Sequence, residues 1–229
     1  MNASYVMRPI AFLRSDFGDK FGIPRQSGLS QVESIVEFEP EFYSTEALRG
    51  LEGFSHLWLI WVFSACEPGK WSPTVRPPRL GGNTRVGVFA TRAPYRPNPI
   101  GLSCVELIRI EGHRLLVRGA DLMDGTPILD IKPYIPYTDS RPGAAGGFSD
   151  AVRNHALEVC FPETLLALIP EPKRPALIQA LAQDPRPGYR HDDPRRQFGL
   201  TYAGFDVRFT VQDELLTVRE VVPCSKEKI

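Results

Sequence analysis

A succession of short strand-like segments, with almost no helix between them, most limits what the first part of this chain can fold into. The segments alternate between apolar and polar residues or form short apolar runs, as strands do. Roughly seven strands are predicted in this way, at residues 5–14, 31–39, 54–63, 85–91, 102–109, 114–120 and 128–134. Because helices do not alternate with the strands, a doubly wound α/β sheet is excluded, and we predict a closed or nearly closed antiparallel β-barrel.

The remainder of the chain has a mixed pattern and follows a linker of small residues, SRPGAAGGFSD at 140–150. Such a composition is typical of a domain boundary. Beyond it the pattern predicts, in order, a strand at 155–161, helices at 162–169 and 173–183, an irregular segment at 184–197, and a hairpin of strands at 202–211 and 215–222. We therefore predict a mainly β protein, with a β-barrel domain at 1–139, a linker at 140–152 and a small α+β domain at 153–229.

Charge is balanced over the whole chain but not along it. The 229 residues include 27 Lys and Arg and 27 Asp and Glu, so any anion-binding surface has to be local. Residues 68–100 offer such a surface, because they carry basic side chains and no acidic one. The basic residues are Lys70, Arg76, Arg79, Arg85, Arg92 and Arg96. A solvated basic loop, rich in proline and glycine, explains the same composition, so both interpretations stay open.

Several classes of protein are not supported by the sequence. The longest uncharged apolar run, at 57–66, is too short to span a bilayer, and the N-terminus lacks the pattern of a signal peptide. The cysteines and histidines show no metal-ligand spacing, so we expect reduced thiols, no metal site and a cytoplasmic protein. The usual dinucleotide, nucleoside triphosphate and Ser-His-Asp motifs are also absent from the sequence.

Polar residues beside prolines form two clusters at predicted strand ends. The first, at 92–103, contains Asn98 between two prolines, and the second, at 124–134, contains Asp130 and Tyr134. A side-chain oxygen with an aromatic ring nearby suits the recognition of the exocyclic amine of an adenine. Turns at strand ends use the same residue types, and that interpretation stays open as the alternative.

Several segments carry a resemblance that no short motif provides. The segments are PRQSG at 24–28, GLEGFSHLWLIWVF at 50–63, WSPTVRPPRLGGNTRVGVFATRAPYRPNPIGLS at 71–103, DLMDGTPILDIKPYIPY at 121–137, AQDPRPGYRHDD at 182–193 and FDVRF at 205–209. Over these segments the chain resembles the TsaA-like family along essentially its whole length. The resemblance implies an antiparallel β-barrel that binds S-adenosylmethionine without a Rossmann domain, and a homodimer. It also implies methylation of N6 of a threonylcarbamoylated adenosine in the anticodon stem-loop of a tRNA.

The same resemblance implies which residues contact the cofactor. They are Pro24, Arg25, Gln26, Ser64, Ala65, Arg92, Leu102, Asp124, Gly125, Thr126 and Pro127. Arg92 or Arg25 can form a forked, charge-assisted pair with the methionyl carboxylate. Leu102 offers backbone groups and apolar surface to the adenine, and Asp124 suits the ribose hydroxyls or the methionyl ammonium.

The implied reaction also has to handle N6, which is a poor nucleophile because its lone pair is delocalised into the neighbouring carbonyl. We predict that Asp130 accepts or shares the N6 proton, that Asn98 orients the substrate and that Tyr134 stacks on the base. We predict tRNA contacts from Arg76, Arg79, Arg96, Arg186, Arg190 and Arg195. For the last three arginines, internal pairing with nearby aspartates is the alternative.

Two other functions stay open on the sequence alone. One is a non-catalytic β-barrel that binds RNA or a nucleotide, and the other is a scaffold whose basic face binds an acidic partner. The first predicts no binding of S-adenosylmethionine. The second predicts no preference for RNA over other polyanions.

Overall fold

The computed structural model describes residues 5–67, 69–80, 83–152, 156–186 and 195–224, apart from the side chains of Arg79 and Val152. The strands of the first part are β1 Ala11–Arg14, β2 Glu33–Phe38, β3 His56–Val62, β4 Thr74–Val75, β5 Val86–Gly87, β6 Ile100–Glu111, β7 Arg114–Arg118 and β8 Pro127–Pro133. A closed barrel forms in the order β1-β2-β7-β6-β3-β8, and β4 and β5 pair separately. Two short helices accompany these strands, α1 Thr45–Leu48 and α2 Pro136–Asp139.

The barrel confirms the predicted fold class, but the predicted strand at 85–91 is not part of it. Only Val86–Gly87 is a strand here, and it pairs with β4. The chain then forms a 3₁₀ turn at Val88–Ala90. The N–H and the hydroxyl of Thr91 both donate to the Val88 carbonyl, at 3.1 and 2.9 Å. The segment has a strand-like composition, and the local side-chain bond overrides it.

β3 is the central strand that the sequence predicts, because it pairs with β6 on one side and with β8 on the other. The apolar run of β3 predicts burial on both faces, and this prediction is wrong: only one face is fully buried. Leu57, Leu59 and Trp61 are buried in the barrel, whereas Trp58 and Ile60 are only half-buried on the outside. A barrel buries one face of each strand, so the apolar run marks one buried face and one partly covered outer face.

The interior of the barrel is filled by side chains from all of its strands. The buried residues are Ala11, Leu13, Val36, Phe38, Leu57, Leu59, Trp61, Val105, Leu115, Val117, Ala120, Leu122 and Ile128. The hairpin of β6 and β7 turns at Gly112 and His113, as predicted, with Gly112 at φ 56°. Since glycine adopts this left-handed conformation without strain, the turn sets the register of the hairpin.

The C-terminal part is a four-stranded sheet with two helices. Its elements are β9 Glu158–Cys160, α3 Glu163–Leu166, α4 Arg174–Ala182, β10 Phe198–Tyr202, β11 Phe205–Gln212 and β12 Leu215–Pro223. The sheet order is β10-β11-β12-β9, with β9 parallel to β12. The sequence predicts these elements except β10, where Gly199 and the preceding arginines weaken the strand pattern. No helix in the described part of the chain is long and apolar enough to cross a membrane.

The loop between β1 and β2 belongs to the second core and not to the barrel core. Phe17 and Val32, from the two ends of this loop, are buried in the cluster that contains Leu200 and Tyr202. The rings of Phe17 and Tyr202 lie 5.2 Å apart. The domain division at 140–152 stays a prediction, and the packing adds that this loop joins the two parts tightly.

Candidate functional site

A cavity of about 490 Å³ opens beside the end of β3 and the start of β6. Its walls come from segments that are distant in the sequence, at residues 20–26, 61–66, 91–96, 100–102 and 121–126. Trp61, Phe63 and Leu122 supply apolar surface, and the centroids of the Trp61 and Phe63 rings are 4.3 Å apart. A cavity of this size, with apolar walls and a few polar groups, is typical of a cofactor or substrate site.

Arg25 ties one wall of the cavity to the C-terminal part of the chain. Its Nη2 donates to the carbonyl oxygens of Asp184 at 2.7 Å and of Arg186 at 3.3 Å. On the barrel side, the N–H of Gly28 donates to the Gly119 carbonyl at 2.9 Å. The loop that carries Arg25 is therefore anchored at both ends, which fixes the position of the wall.

Two arginines on the opposite wall are oriented by hydrogen bonds. Arg92 Nη1 donates to Gln26 Oε1 and so links the two walls. Arg96 Nη1 donates to the carbonyls of Thr91 at 2.7 Å and Val88 at 3.0 Å. These bonds hold both guanidinium groups at the cavity, where they favour an anionic group of a ligand.

A chain of hydrogen bonds leads from the barrel interior to a carboxylate in the cavity. Trp61 Nε1 donates to Ser103 Oγ at 2.9 Å, and the Ser103 hydroxyl donates to Asp121 Oδ1. The Trp61 ring can lie here because its cross-strand neighbour is Gly101. A Cβ at Gly101 would stand 2.2 Å from Trp61 Cε2. Glycine at this position therefore makes room for the indole, and the indole positions the serine.

The carboxyl group of Asp121 is perturbed by its surroundings. Burial raises its pKa, while the Ser103 hydroxyl, the backbone N–H groups of Asp121 and Ser27, and the charge of Arg92 oppose this rise. The net direction is upward, as is usual where desolvation of the charged form dominates. A perturbed carboxyl group in a cavity is a common property of functional sites.

The cavity carries charges of both signs. Lys20, Arg25, Arg92 and Arg96 line it, and Asp121 is the one carboxylate among the described residues that do. In the same described ranges, no group of three or more His, Cys, Asp or Glu side chains is placed to hold a metal ion. The arrangement can orient a ligand that has an anionic group, a cationic group and an apolar body.

The structure brings together most of the residues that the sequence resemblance assigns to the cofactor. Those that line the cavity are Pro24, Arg25, Gln26, Ser64, Ala65, Arg92, Leu102 and Thr126. Asp124, Gly125 and Pro127 are described but do not line it. Asp124 accepts a hydrogen bond from the Ser15 N–H at 3.0 Å, and the Gly125 N–H donates to the Leu13 carbonyl at 2.8 Å. This turn therefore closes the barrel between β1 and β8.

The predicted catalytic residues do not line the cavity. Asp130 is half-buried on β8, where its Oδ2 pairs with Lys132 Nζ at 2.8 Å. The N–H of Tyr134 donates to the His56 carbonyl at 3.0 Å, at the start of β3. The cavity lies at the other end of β3, about 20 Å from Tyr134 by the length of the strand. Asp130 pairs with Ile60, near the end of β3 that borders the cavity. Asn98 is exposed. The three catalytic roles stay predictions.

Arg186, one of the predicted tRNA contacts, is placed inside the protein. It is only 8% exposed, and its Nε and Nη2 donate to the two carboxylate oxygens of Asp184 at 2.8 and 2.9 Å. Asp184 has a φ of 53°, a conformation that short polar side chains tolerate. The internal pair that the sequence left as the alternative is therefore formed, and a phosphate contact by Arg186 is not favoured.

The other arginines predicted to contact tRNA differ in their exposure. Arg76 and Arg195 are exposed, and Arg96 is half-buried in the cavity wall. Arg190 and the side chain of Arg79 lie outside the described residues. Exposure to solvent keeps Arg76 and Arg195 as candidates for a phosphate contact.

The sequence prediction missed the carboxylate and the indole of the cavity. Asp121 directly follows the predicted strand at 114–120, and an acidic residue next to a buried strand end is the signal that could have identified it. Trp61 belongs to the apolar run that predicts a buried strand. Its bond to Ser103 depends on the register between β3 and β6, which the sequence of β3 alone does not contain.

Known proteins resemble this chain, some of them along nearly its whole length. The family model described as "tRNA-methyltransferase O N-terminal domain" matches residues 12–140, and the "TrmO C-terminal domain" model matches residues 155–224. A "tRNA (adenine(37)-N6)-methyltransferase" of Escherichia coli (strain K12) is 42% identical over 228 residues, which is 92% of this chain and 95% of that protein. A "Probable S-adenosyl-L-methionine-binding protein" of Pyrococcus abyssi is 44% identical over 135 residues, 58% of this chain and 70% of that protein. A crystal structure of TrmO from Pseudomonas aeruginosa matches with a TM-score of 0.79 at 36% identity, covering 97% of this chain and 99% of that one.

Proposed function

This chain belongs to the tRNA-methyltransferase O (TrmO) family, and we propose that it uses the cavity to methylate N6 of adenine 37 in tRNA. It is an enzyme, and S-adenosylmethionine is its methyl donor. We extend the proposal to a base that is already threonylcarbamoylated, as the sequence resemblance implies. The main support for the proposal is that Arg92, Asp121 and an apolar wall line the same cavity.

The residues of the cavity fit S-adenosylmethionine, which combines an adenosine, a sulfonium and a methionyl end. Arg92, oriented by Gln26, would hold the methionyl carboxylate in a charge-assisted pair. Leu102, which is 53% exposed at the mouth, would cover part of the adenine. We assign Arg25 to holding the loop, because its guanidinium donates to the carbonyls of the C-terminal part.

Alignment is the main contribution that the protein has to make. The bound cofactor supplies a methyl group that is already activated by its sulfonium. The residues of this chain therefore have to hold the cofactor and N6 in line and keep water out of the space between them. The double anchoring of the Arg25 loop, and the bond from Arg92 to Gln26, provide fixed walls for this task.

A basic and aromatic surface beside the cavity supports tRNA as the second substrate. Trp71 and Phe89 are 52% and 75% exposed, and Arg96 Cζ lies 5.6 Å from the centre of the Phe89 ring. Unpaired bases of RNA loops stack on such rings, and exposed arginines contact the phosphates. We therefore propose that Trp71, Phe89 and Arg96 contact the anticodon stem-loop. We propose the same for Arg76 and Arg195.

We also propose that the protein is a homodimer and acts in the cytoplasm. Ile100 and Leu102, at the mouth of the cavity, are exposed on β6, and Leu102 pairs across strands with the half-buried Ile60 of β3. A partner subunit that covers these side chains would border the cavity. Neighbouring apolar side chains on an outer surface support a protein interface there. Sedimentation velocity tests the dimer, and a monomer at every concentration would contradict it. Transfer RNA as the substrate supports the cytoplasmic assignment.

The proposed reaction is tested with purified protein, labelled S-adenosylmethionine and bulk tRNA, with and without prior threonylcarbamoylation. We expect the label to enter only the threonylcarbamoylated tRNA, and mass spectrometry of the nucleosides to locate the methyl group on N6. A plain RNA-binding barrel predicts no transfer and no heat of cofactor binding in calorimetry. Transfer to unmodified tRNA would support the methyltransferase activity but refute the requirement for the threonylcarbamoyl group.

A further inference from the structure

Asp121 is the one carboxylate among the described residues that line the cavity, and it faces several cations. The guanidinium of Arg92 lies close enough to act on its titration. The other charged or titratable residues that line the cavity are Lys20, Arg25, Cys66, Tyr95 and Arg96. Four basic side chains would make the cavity repel a cationic ligand, so one carboxylate has a large influence on what can bind there.

The position of this carboxylate is fixed by a hydrogen bond that is itself held in place. The Ser103 hydroxyl of β6 donates to Asp121 Oδ1 and is itself held by Trp61 Nε1. The backbone N–H of Ser27, in the loop between β1 and β2, faces the carboxyl group and favours its charged form, opposing the rise of its pKa. A group held in this way does not need to be reoriented when a ligand arrives, and preorganised charges interact most strongly.

The methyl donor brings two positive centres into the cavity, its ammonium and its sulfonium. We propose that the Asp121 carboxylate pairs with one of these two centres and is the negative charge on which cofactor binding depends. Arg92 then takes the methionyl carboxylate, and the two residues together orient the cofactor. This inference rests on the proposed use of S-adenosylmethionine in this cavity.

The pairing makes cofactor affinity depend on pH. Burial raises the pKa of Asp121, so the carboxylate becomes protonated at a higher pH than an ordinary aspartate does. Affinity should therefore be full above this pKa and fall as the pH decreases through it. The ammonium of the cofactor, with a pKa of about 7.7–8.0, stays charged throughout an acidic titration. Burial raises the pKa of Cys66 as well, so this thiol stays protonated in the same range.

The test is calorimetric titration of the full chain with S-adenosylmethionine and with S-adenosylhomocysteine, which lacks the sulfonium charge. We expect Asp121→Asn to bind S-adenosylmethionine about tenfold more weakly or worse, because asparagine can still accept the Ser103 bond but has no charge. Asp16→Asn is the matched control. Asp16 is a half-buried carboxylate that pairs with Lys173 and does not line the cavity, so its variant should bind like the wild type.

The two ligands separate the two positive centres. Equal weakening of both ligands in Asp121→Asn identifies the ammonium as the partner, and weakening of S-adenosylmethionine alone identifies the sulfonium. Affinities for both ligands equal to those of the wild type would overturn the inference and leave the proposed function intact. A wild type that binds neither ligand would overturn the proposed function and this inference with it.

The wild type alone provides a second test if Asp121→Asn does not fold. Its affinity for S-adenosylmethionine should fall as the pH is lowered into the acidic range, and the fall should begin at a higher pH than the titration of an ordinary aspartate would give. Where Asp121→Asn does fold, the variant should lose most of this dependence. A wild-type affinity that is constant across the range would contradict the pairing.

Discussion

Gly101→Ala is expected to damage the cavity from inside the barrel. The new Cβ would stand 2.2 Å from Trp61 Cε2 and 2.4 Å from Cζ2. Trp61 is only 8% exposed, so the ring has to shift within the barrel or into the cavity that it lines. Overpacking of a core costs about 1–3 kcal/mol. Displacing the indole from Ser103 leaves a buried donor without its acceptor, which costs about 1–3 kcal/mol more.

The expected fall in stability is therefore about 2–6 kcal/mol. For a chain of this size it lowers the melting temperature on the order of 10 °C, as measured by thermal unfolding followed by circular dichroism. Affinity for S-adenosylmethionine should fall too, because Ser103 no longer holds Asp121 in position. Because displacement of the Trp61 ring causes the loss of stability, the double variant Gly101→Ala/Trp61→Leu should be little less stable than Trp61→Leu alone.

Gly87→Ala is the matched control for this prediction. Gly87 also lies in a strand, its φ of −59° suits alanine, and a Cβ there would meet no atom within 4 Å. We expect its stability to stay within about 0.5 kcal/mol of the wild type. The reasoning is refuted if Gly101→Ala melts at the same temperature as Gly87→Ala, or if its cost is unchanged in the Trp61→Leu background.

Three further predictions follow from side-chain pairs in the structure. Arg92→Ala should weaken binding of S-adenosylmethionine about tenfold or more in calorimetry. Arg92→Lys should recover only part of the loss, since lysine lacks the forked guanidinium. Wild-type affinity in both variants would show that Arg92 does not bind the cofactor. Arg186→Ala should lower the free energy of unfolding by about 3–5 kcal/mol in urea, because Asp184 loses a buried cation; unchanged stability with a raised KM for tRNA would instead support a phosphate contact. Hydrogen bonds from Arg114 and Arg14 lower the pKa of Glu37 below 4.5. The stability that the Glu37 carboxylate contributes is therefore present above pH 4.5 and is lost as the pH falls through the lowered pKa. Glu37→Gln should therefore lose less stability than the wild type across that acidic range, and identical pH profiles would contradict this pairing.

The barrel could be predicted from sequence because its signals are local. The alternation Val32, Ser34, Val36 and Phe38 predicts this strand, and within β2 the side chains of Ser34, Val36 and Phe38 form the buried face. The glycine turn at Gly112 likewise identifies the hairpin of β6 and β7. These patterns need no knowledge of distant residues, and so they give β2, the hairpin of β6 and β7, and the fold class correctly.

The cavity could be predicted only in part, because its chemistry depends on distant contacts. Asp121 is held at the cavity by Ser103, which bonds Trp61 in turn, and the register between β3 and β6 sets that relation. The sequence resemblance located Arg92 and its neighbours but not this chain of bonds. Sequence spacing also could not decide whether Arg186 contacts tRNA or pairs with Asp184. An arginine two residues from an aspartate is compatible with either contact.

The carbonyls that hold Arg25 also determine when, during synthesis, the cavity can be completed. A growing chain leaves the ribosome from its N-terminus, and its N-terminal part folds first. All barrel strands emerge before Asp184 and Arg186, whose carbonyls anchor the loop. A nascent chain can therefore close its barrel while one wall of the cavity still lacks its anchor. A chain that ends before Asp184 keeps every barrel strand but lacks the carbonyls that hold the Arg25 loop.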